Sequence, residues 1–166
     1  MRPVSHKIYT LPELLDWPYM RKKFGSIVCT SGGYDPIHPG HISCIRESKR
    51  HGDTLVVLVN GDEFLRRKRG KPFMDVAARA YIVAALEGVD AVVKLENEYD
   101  EETVVKALRD LKPDVFTKGG DRCDEQSIPE WGICQETGIR IVTGVGVDKH
   151  WSSSNYLKDW EEFRRR

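Results

Sequence analysis

Thr54-Leu55-Val56-Val57-Leu58-Val59-Asn60 limits the fold of this chain more than any other stretch. It is a nearly uninterrupted aliphatic run, without the polar alternation of a strand that has one face in water. A strand of that kind is covered on both sides, which indicates a parallel sheet between layers of helices. Gly52-Asp53 supplies the turn that leads into it.

The rest of the chain supports that sheet by alternation. Residues from Thr10 to Phe24 carry Leu11, Leu14, Leu15, Trp17 and Tyr19 at a partly helical spacing broken by Pro18, and read as a short helix covering one sheet edge. Gly25 ends it, and Ser26–Thr30 is the first strand, followed by a helix from Pro39 to His51. After the aliphatic strand comes a polar, basic loop, Gly61 to Phe73. Asp75 then caps a helix running to Glu87. Ala91–Lys94, Asp114–Thr117 and Ile139–Val142 are predicted strands, and 101–111, 127–137 and 152–164 predicted helices. Gly138 stops the second of these and serines cap the last. Short connections between alternating elements specify right-handed crossovers and a single α/β domain over 1–166. The expectation is a Rossmann-like, doubly wound, five-stranded parallel sheet, with 1–25 as a leading helical segment and 26–166 as the core.

Ligands of such sheets bind beyond the carboxyl ends of the strands, near the point where strand order reverses. Three segments are predicted to meet there: Ser31 to His41, Lys118-Gly119-Gly120-Asp121, and Trp151-Ser152-Ser153-Ser154-Asn155. The basic run Arg66-Arg67-Lys68-Arg69, with Lys71, lies on the same side. Adjacent glycines let backbone approach a ligand closely, and a following helix directs its free N–H groups at the same spot. His38 and His41, three apart at a helix start, could donate to phosphate oxygens. With few carboxylates, Asp35 and Asp121, the inventory suits a polyphosphate and its magnesium. Plainer readings exist for each piece. The histidines could be structural or half a metal site, Gly119-Gly120 a plain turn, the serines simple caps and the basic run a solvated loop.

Net charge is zero, from 26 basic and 26 acidic residues, so no bulk field draws nucleic acid or an anionic membrane. No apolar run approaches the ~20 residues of a membrane span. Glu13, Asp16 and Lys22 interrupt any signal-peptide core, so a cytoplasmic location is expected. Cys29, Cys44, Cys123 and Cys134 show no C-x-x-C spacing and read as free thiols. A zinc site from Cys123, Cys134 and a distant histidine lacks the usual pattern.

Gly32-x-Tyr34-Asp35-x-x-His38-x-Gly40-His41 resembles the G-x-F-D-x-x-H-x-G-H signature of the cytidylyltransferase-like nucleotidylyltransferases. Ser152-Ser153-Ser154 is similar to that family's second signature, a serine/threonine stretch opening the last helix. Leu11, Glu13 and Leu14, the phrase 28–32, the phrase 115–121 and 152–155 look like ADP-heptose synthase adenylyltransferase domains. Asp62-Glu63-Phe64, with Lys68 and Lys71 ahead of Arg79, looks like glycerol-3-phosphate cytidylyltransferase. Tyr34 stands where the family has phenylalanine, Gly33 and Pro36 are unusual within the signature, and Trp151 replaces a small or aliphatic residue.

The resemblance implies transfer of a nucleotidyl group from ATP or CTP to a small phosphorylated acceptor, ATP and a heptose 1-phosphate-like sugar phosphate being preferred. It also implies magnesium carried by the triphosphate, and a homodimer. His38 and His41 would stabilise the pentacoordinate state, and Lys68, or alternatively Lys71, would neutralise the α-phosphate or the acceptor. Ser31, Gly32, Gly33, Tyr34, Gly40, Lys118, Gly119, Gly120, Asp121, Ser152, Ser153 and Ser154 would hold the nucleotide. Asp35, Asn60, Lys71 and Arg79 are expected on the acceptor side, with Asp35 and Arg79 alternatively in support of the site. A catalytically silent nucleotide-binding sensor is the competing reading from another class.

Overall fold

The computed structural model describes residues 3–16, 20–120, 122–147 and 150–166. The strands are β1 (Ile8–Thr10), β2 (Ile27–Gly32), β3 (Thr54–Val59), β4 (Ala91–Lys94), β5 (Val115–Gly119) and β6 (Arg140–Val145). The helices are α1 (Leu11–Leu15), α2 (Met20–Phe24), α3 (Pro39–Ser48), α4 (Asp62–Arg69), α5 (Val76–Ala84), α6 (Val105–Leu111), α7 (Trp131–Thr137) and α8 (Ser153–Arg164). Every pairing is parallel, in the order β1-β4-β3-β2-β5-β6. Strand order therefore reverses between β2 and β5, and the loops that leave these two neighbours diverge to open a crevice.

The aliphatic run behaves as its composition demands. All six residues of β3 are buried. Leu55, Val57 and Val59 enter the core on one face, with Ile45 of α3 and Ala80 and Val83 of α5. Val56 and Leu58 enter the other, with Leu11, Leu14, Leu108 and Ile133. Alternate side chains point to opposite faces of a strand, so both helical layers are fixed by one segment.

The sheet has six strands, not the expected five. The extra strand, β1, pairs with β4 through Ile8↔Val92 and Thr10↔Lys94. With three half-buried residues it is too short to leave a periodic signal. The leading segment is thus strand and helix, and Leu11 and Leu14 are buried in the core rather than only covering an edge. Thr10 closes β1 and caps α1 reciprocally, accepting from Glu13 N at 3.4 Å while its own N–H donates to Glu13 Oε2 at 2.6 Å. Trp17 and Tyr19 fall outside the described residues.

The basic segment, expected as a loop, is helical. Residues 62–69 form α4, with Asp62 and Glu63 in its first turn and Arg66–Arg69 in its last. That is the charge order a helix dipole favours. Asp100, from the loop after β4, accepts from the N–H groups of Glu63 and Phe64, and Gly70 leaves the helix at φ 92. Other helices are shorter than expected: α3 ends at Ser48 and α5 at Ala84, while α6 begins at Val105 and α7 at Trp131. Before α7 lies a turn in which Asp124 Oδ1 accepts from Ser127 N, followed by Pro129.

Candidate active site

The crevice at the switch point holds a cleft of about 360 Å³, lined by the ends of β2 and β5, the start of α3, one side of α4 and the N-terminus of α8. Gly32 ends β2 and Tyr34 follows with φ 52. That left-handed turn folds the tyrosine ring under Gly32, where any Cβ would stand 2.9 Å from Tyr34 Cζ. Tyr34 is buried, and its ring meets His41 edge-on with centroids 5.1 Å apart.

His38 is the N-cap of α3 and His41 its third residue, and each caps the other. His41 N donates to His38 Nδ1 at 3.4 Å, and His38 N donates to His41 Nδ1 at 3.3 Å. The two rings stack at 3.6 Å and 16°. A Cβ on Gly40 would press on the His38 ring at 3.2 Å, so the residue between the imidazoles must be small. Because each Nδ1 accepts, each neutral ring carries its proton on Nε2. Burial, then the neighbouring His38 and Lys68, holds His41 down at about 3, and burial also lowers His38. At neutral pH the cleft therefore presents two uncharged Nε2–H donors at the start of a helix.

On the opposite wall, α4 brings Lys68, Arg69 and Leu65 to the cleft. This wall is fastened to the glycine loop by buried polar bonds. Asp35, 1% exposed, accepts from Phe73 N and Met74 N at 2.8 Å each, and Arg69 donates to Asp35 O. Arg79, 0% exposed, donates to Met74 O, Gly33 O, Asn60 O and Asp62 Oδ1 at 2.6–2.9 Å. The predicted acceptor residues thus separate. Asp35 lines the cleft with its carboxylate committed to backbone, Asn60 and Arg79 lie behind the wall as its fastening, and Lys71 is exposed outside the lining. Lys68, by contrast, lines the cleft.

The floor and far wall come from β5 and α8. Lys118 and Gly119 end β5 and Gly120 follows, all three lining the cleft. A Cβ on Gly119 would lie 2.9 Å from both Cys44 Sγ and Val145 O, where β5 and β6 shift register. Asp121 falls outside the described residues. Trp151, Ser152, Ser153 and Ser154 all line the cleft. Ser152 caps α8, accepting from Asn155 N at 3.4 Å, and Ser153 Oγ donates to Pro36 O at 2.8 Å, joining α8 to the signature loop. The structure also brings in residues the sequence did not single out: Arg69, Arg122, Cys44, Val145 and Val147. Arg69 was visible only as part of a basic run, and Arg122 follows the glycine pair without a motif of its own.

The lining thus combines cationic side chains, neutral N–H donors and a helix N-terminus, with an apolar side at Val145, Val147 and Trp151. Such a surface fits the oxygens of a polyphosphate beside a flat ring. Among the described residues no trio of His, Cys, Asp or Glu gathers to hold a metal ion, and no helix is long and apolar enough to cross a membrane.

Residues 29–137 match the model of a family described as cytidylyltransferase-like. The chain is 39% identical over 141 residues to the bifunctional protein HldE of Methylococcus capsulatus, covering 82% of this chain and 29% of that protein. It is 37% identical over 154 residues to HldE of Actinobacillus succinogenes, covering 91% and 31%. The chain thus spans less than a third of the length of these curated relatives. Among solved structures, a lipopolysaccharide core biosynthesis protein from Thermoplasma volcanium superposes with a TM-score of 0.61 at 30% identity, over 74% of this chain and 98% of that one. A pantoate–β-alanine ligase from Francisella tularensis, complexed with β,γ-ATP and β-alanine, shares the fold with a TM-score of 0.65 at 18% identity, over 90% and 72%.

Proposed function

Because the chain belongs to the cytidylyltransferase-like family, we propose that it is a nucleotidylyltransferase that joins an NMP, AMP in preference to CMP, to the phosphate of a small sugar-phosphate-type acceptor. The observation that carries this reading is the pair of mutually capped, neutral imidazoles facing Lys68 and the N-terminus of α8 across one cleft. The resemblance of 28–32, 115–121 and 152–155 to ADP-heptose synthase adenylyltransferase domains favours a heptose 1-phosphate-like acceptor and ATP.

In the proposed reaction a phosphate oxygen of the acceptor attacks the α-phosphorus of the triphosphate. The new P–O bond forms as the bond to the β-phosphate oxygen breaks in line, and that oxygen leaves with its electron pair as pyrophosphate. No side chain need be a nucleophile. The chain's task is positioning and charge stabilisation on a phosphoryl group with few covalent demands. His38 and His41 donate Nε2–H bonds to phosphoryl oxygens. Being neutral, they are already in the donor state and need no proton from solvent. Lys68 supplies a full positive charge at the α-phosphate, and Ser152–Ser154 with the α8 N-terminus hold the β- and γ-phosphates. Val145, Val147 and Trp151 form the apolar side for the base. The cationic and N–H-rich donors suit phosphate oxygens rather than a metal ion, and Asp35 is already taken by two amides. Magnesium is accordingly proposed to bind through the triphosphate, where it would neutralise the leaving pyrophosphate.

A pyrophosphate-release screen tests the proposal, crossing ATP, CTP, GTP and UTP with heptose 1-phosphate, glycerol 3-phosphate and other small phosphates. Turnover with ATP and a sugar phosphate is expected. Preference for CTP and glycerol 3-phosphate would redirect the assignment of substrate. Tight triphosphate binding without release for any acceptor would replace the enzyme by a sensor.

A further inference from the structure

Glu130, in the turn ahead of α7, belongs to none of the motifs, yet it is buried against a lysine of the cleft lining. The residue is 4% exposed. Its Oε1 accepts from Val104 N at 3.4 Å, which anchors it to the start of α6. Its Oε2 has no hydrogen-bond partner and faces Lys118 Nζ at 3.3 Å. A buried carboxylate oxygen without a donor is costly unless a charge compensates it, so the ammonium of Lys118 is a requirement of this packing. Lys118 is held from the other side as well, with Nζ 5.1 Å from the centroid of the Phe116 ring. Its side chain is 12% exposed, and that remaining surface opens into the cleft.

We infer that Glu130 is the positioning residue of Lys118, fixing its ammonium at the floor of the cleft as a preset contact for the triphosphate. The inference rests on the reading of the cleft as a triphosphate site. Lysine carries a long, rotamer-rich stem, and ordering it only when ligand arrives would consume binding energy. Held by Glu130 from beneath and Phe116 alongside, Lys118 has that ordering built into the fold.

The test is a double-mutant cycle on the whole chain, reading Kd for ATP and CTP by calorimetry, with Glu130→Gln, Lys118→Met and the pair together. Gln keeps an oxygen for Val104 N and puts a neutral amide NH2 where the charged Oε2 faced Lys118. Glu130→Gln and Lys118→Met are each expected to weaken triphosphate binding by roughly 5- to 20-fold, and the double variant no further than Lys118→Met alone. Thermal unfolding adds a second readout. Lys118→Met strands the buried carboxylate and lowers the melting temperature, and adding Glu130→Gln restores part of it. Wild-type affinity in Glu130→Gln, or additive losses in the double variant, overturns the inference. Should Glu130→Gln fail to fold, Glu130→Asp, which draws the carboxylate back from Lys118, takes its place in the cycle, and wild-type affinity there overturns the inference. A wild-type chain that binds no triphosphate removes the reading of the cleft and this inference together, whereas wild-type binding with an insensitive Glu130→Gln removes the inference alone.

Discussion

Replacing His41 separates the two things its imidazole does. Its Nδ1 accepts from His38 N and so caps α3, while its Nε2–H is left for a phosphoryl oxygen. His41→Ala removes both. Losing a cap costs about 0.5–2 kcal/mol of stability, which a domain with a typical 5–15 kcal/mol survives. Losing one preorganised donor to a developing charge costs about 10²–10³ in kcat, or about 2.7–4 kcal/mol of barrier. The barrier term is the larger, so the variant should fold and still turn over at least about a hundredfold more slowly. Pyrophosphate release under saturating triphosphate and acceptor measures the rate, and urea unfolding measures the stability. The pH profile checks the protonation state. With His41 held at about 3 by burial, then His38 and Lys68, kcat/KM of the wild type should show no His41 limb between about pH 5 and pH 8. A folded His41→Ala protein with near wild-type release would refute the donor role. An acid limb near pH 6.5 that vanishes in this variant would refute the neutral ring.

Stability itself should depend on the same imidazole. Its unfolded value is 6.5 and its folded value about 3, so between them the unfolded chain binds the extra proton, and denaturant midpoints should fall as pH drops through that window. Arg79→Ala should cost about 3–5 kcal/mol, since it strands Asp62 and three carbonyls, and a lowered urea midpoint checks it. Gly119→Ala should damage the cleft, because the new Cβ would meet Val145 O on one side and Cys44 Sγ on the other, each at 2.9 Å. A raised KM for triphosphate, alongside 1–3 kcal/mol of lost stability by order of magnitude (~2), is expected in kinetics and urea unfolding. Ser152→Ala should lose about 1 kcal/mol as an α8 cap and raise the triphosphate KM several-fold, whereas Ser152→Asp should restore the cap in thermal melts yet bind triphosphate worse still.

The parts of the fold that were legible are those with a strong pattern. The run 54–59 announced a strand buried on both faces, and Pro39, Asp75 and Ser152 marked helix starts that lie within a residue of α3, α5 and α8. β1 was not legible, because three residues carry no period and the strand it pairs with among the described residues, β4, lies some eighty positions along the chain. The basic run looked like a loop because four consecutive cations carry no apolar stripe. Its helix depends on Leu65 reaching the core and on Asp100 capping it from elsewhere. In the cleft, glycines, histidines and serines were recognisable by type and spacing, but contacts across the fold were not. Nothing local distinguishes Glu130 from other surface acids, or shows that Arg79 points inward.

That inward turn of Arg79 changes where acceptor selectivity must reside. Nε, Nη1 and Nη2 of Arg79 already donate to three carbonyls and Asp62, and Asp35 is saturated by Phe73 N and Met74 N. Arg79 cannot grip an acceptor phosphate without first releasing a buried partner, and an unsatisfied buried group costs about 1–3 kcal/mol. Their work is to make α4, the 70–75 turn and the glycine loop one rigid wall. The wall displays Lys68 in the lining, with Lys71 and Phe73 exposed outside it, while Arg69 is itself bound to Asp35 O. Substitutions on that displayed edge should therefore move acceptor KM while leaving triphosphate affinity intact, whereas substitutions at Arg79 or Asp35 should disturb both together.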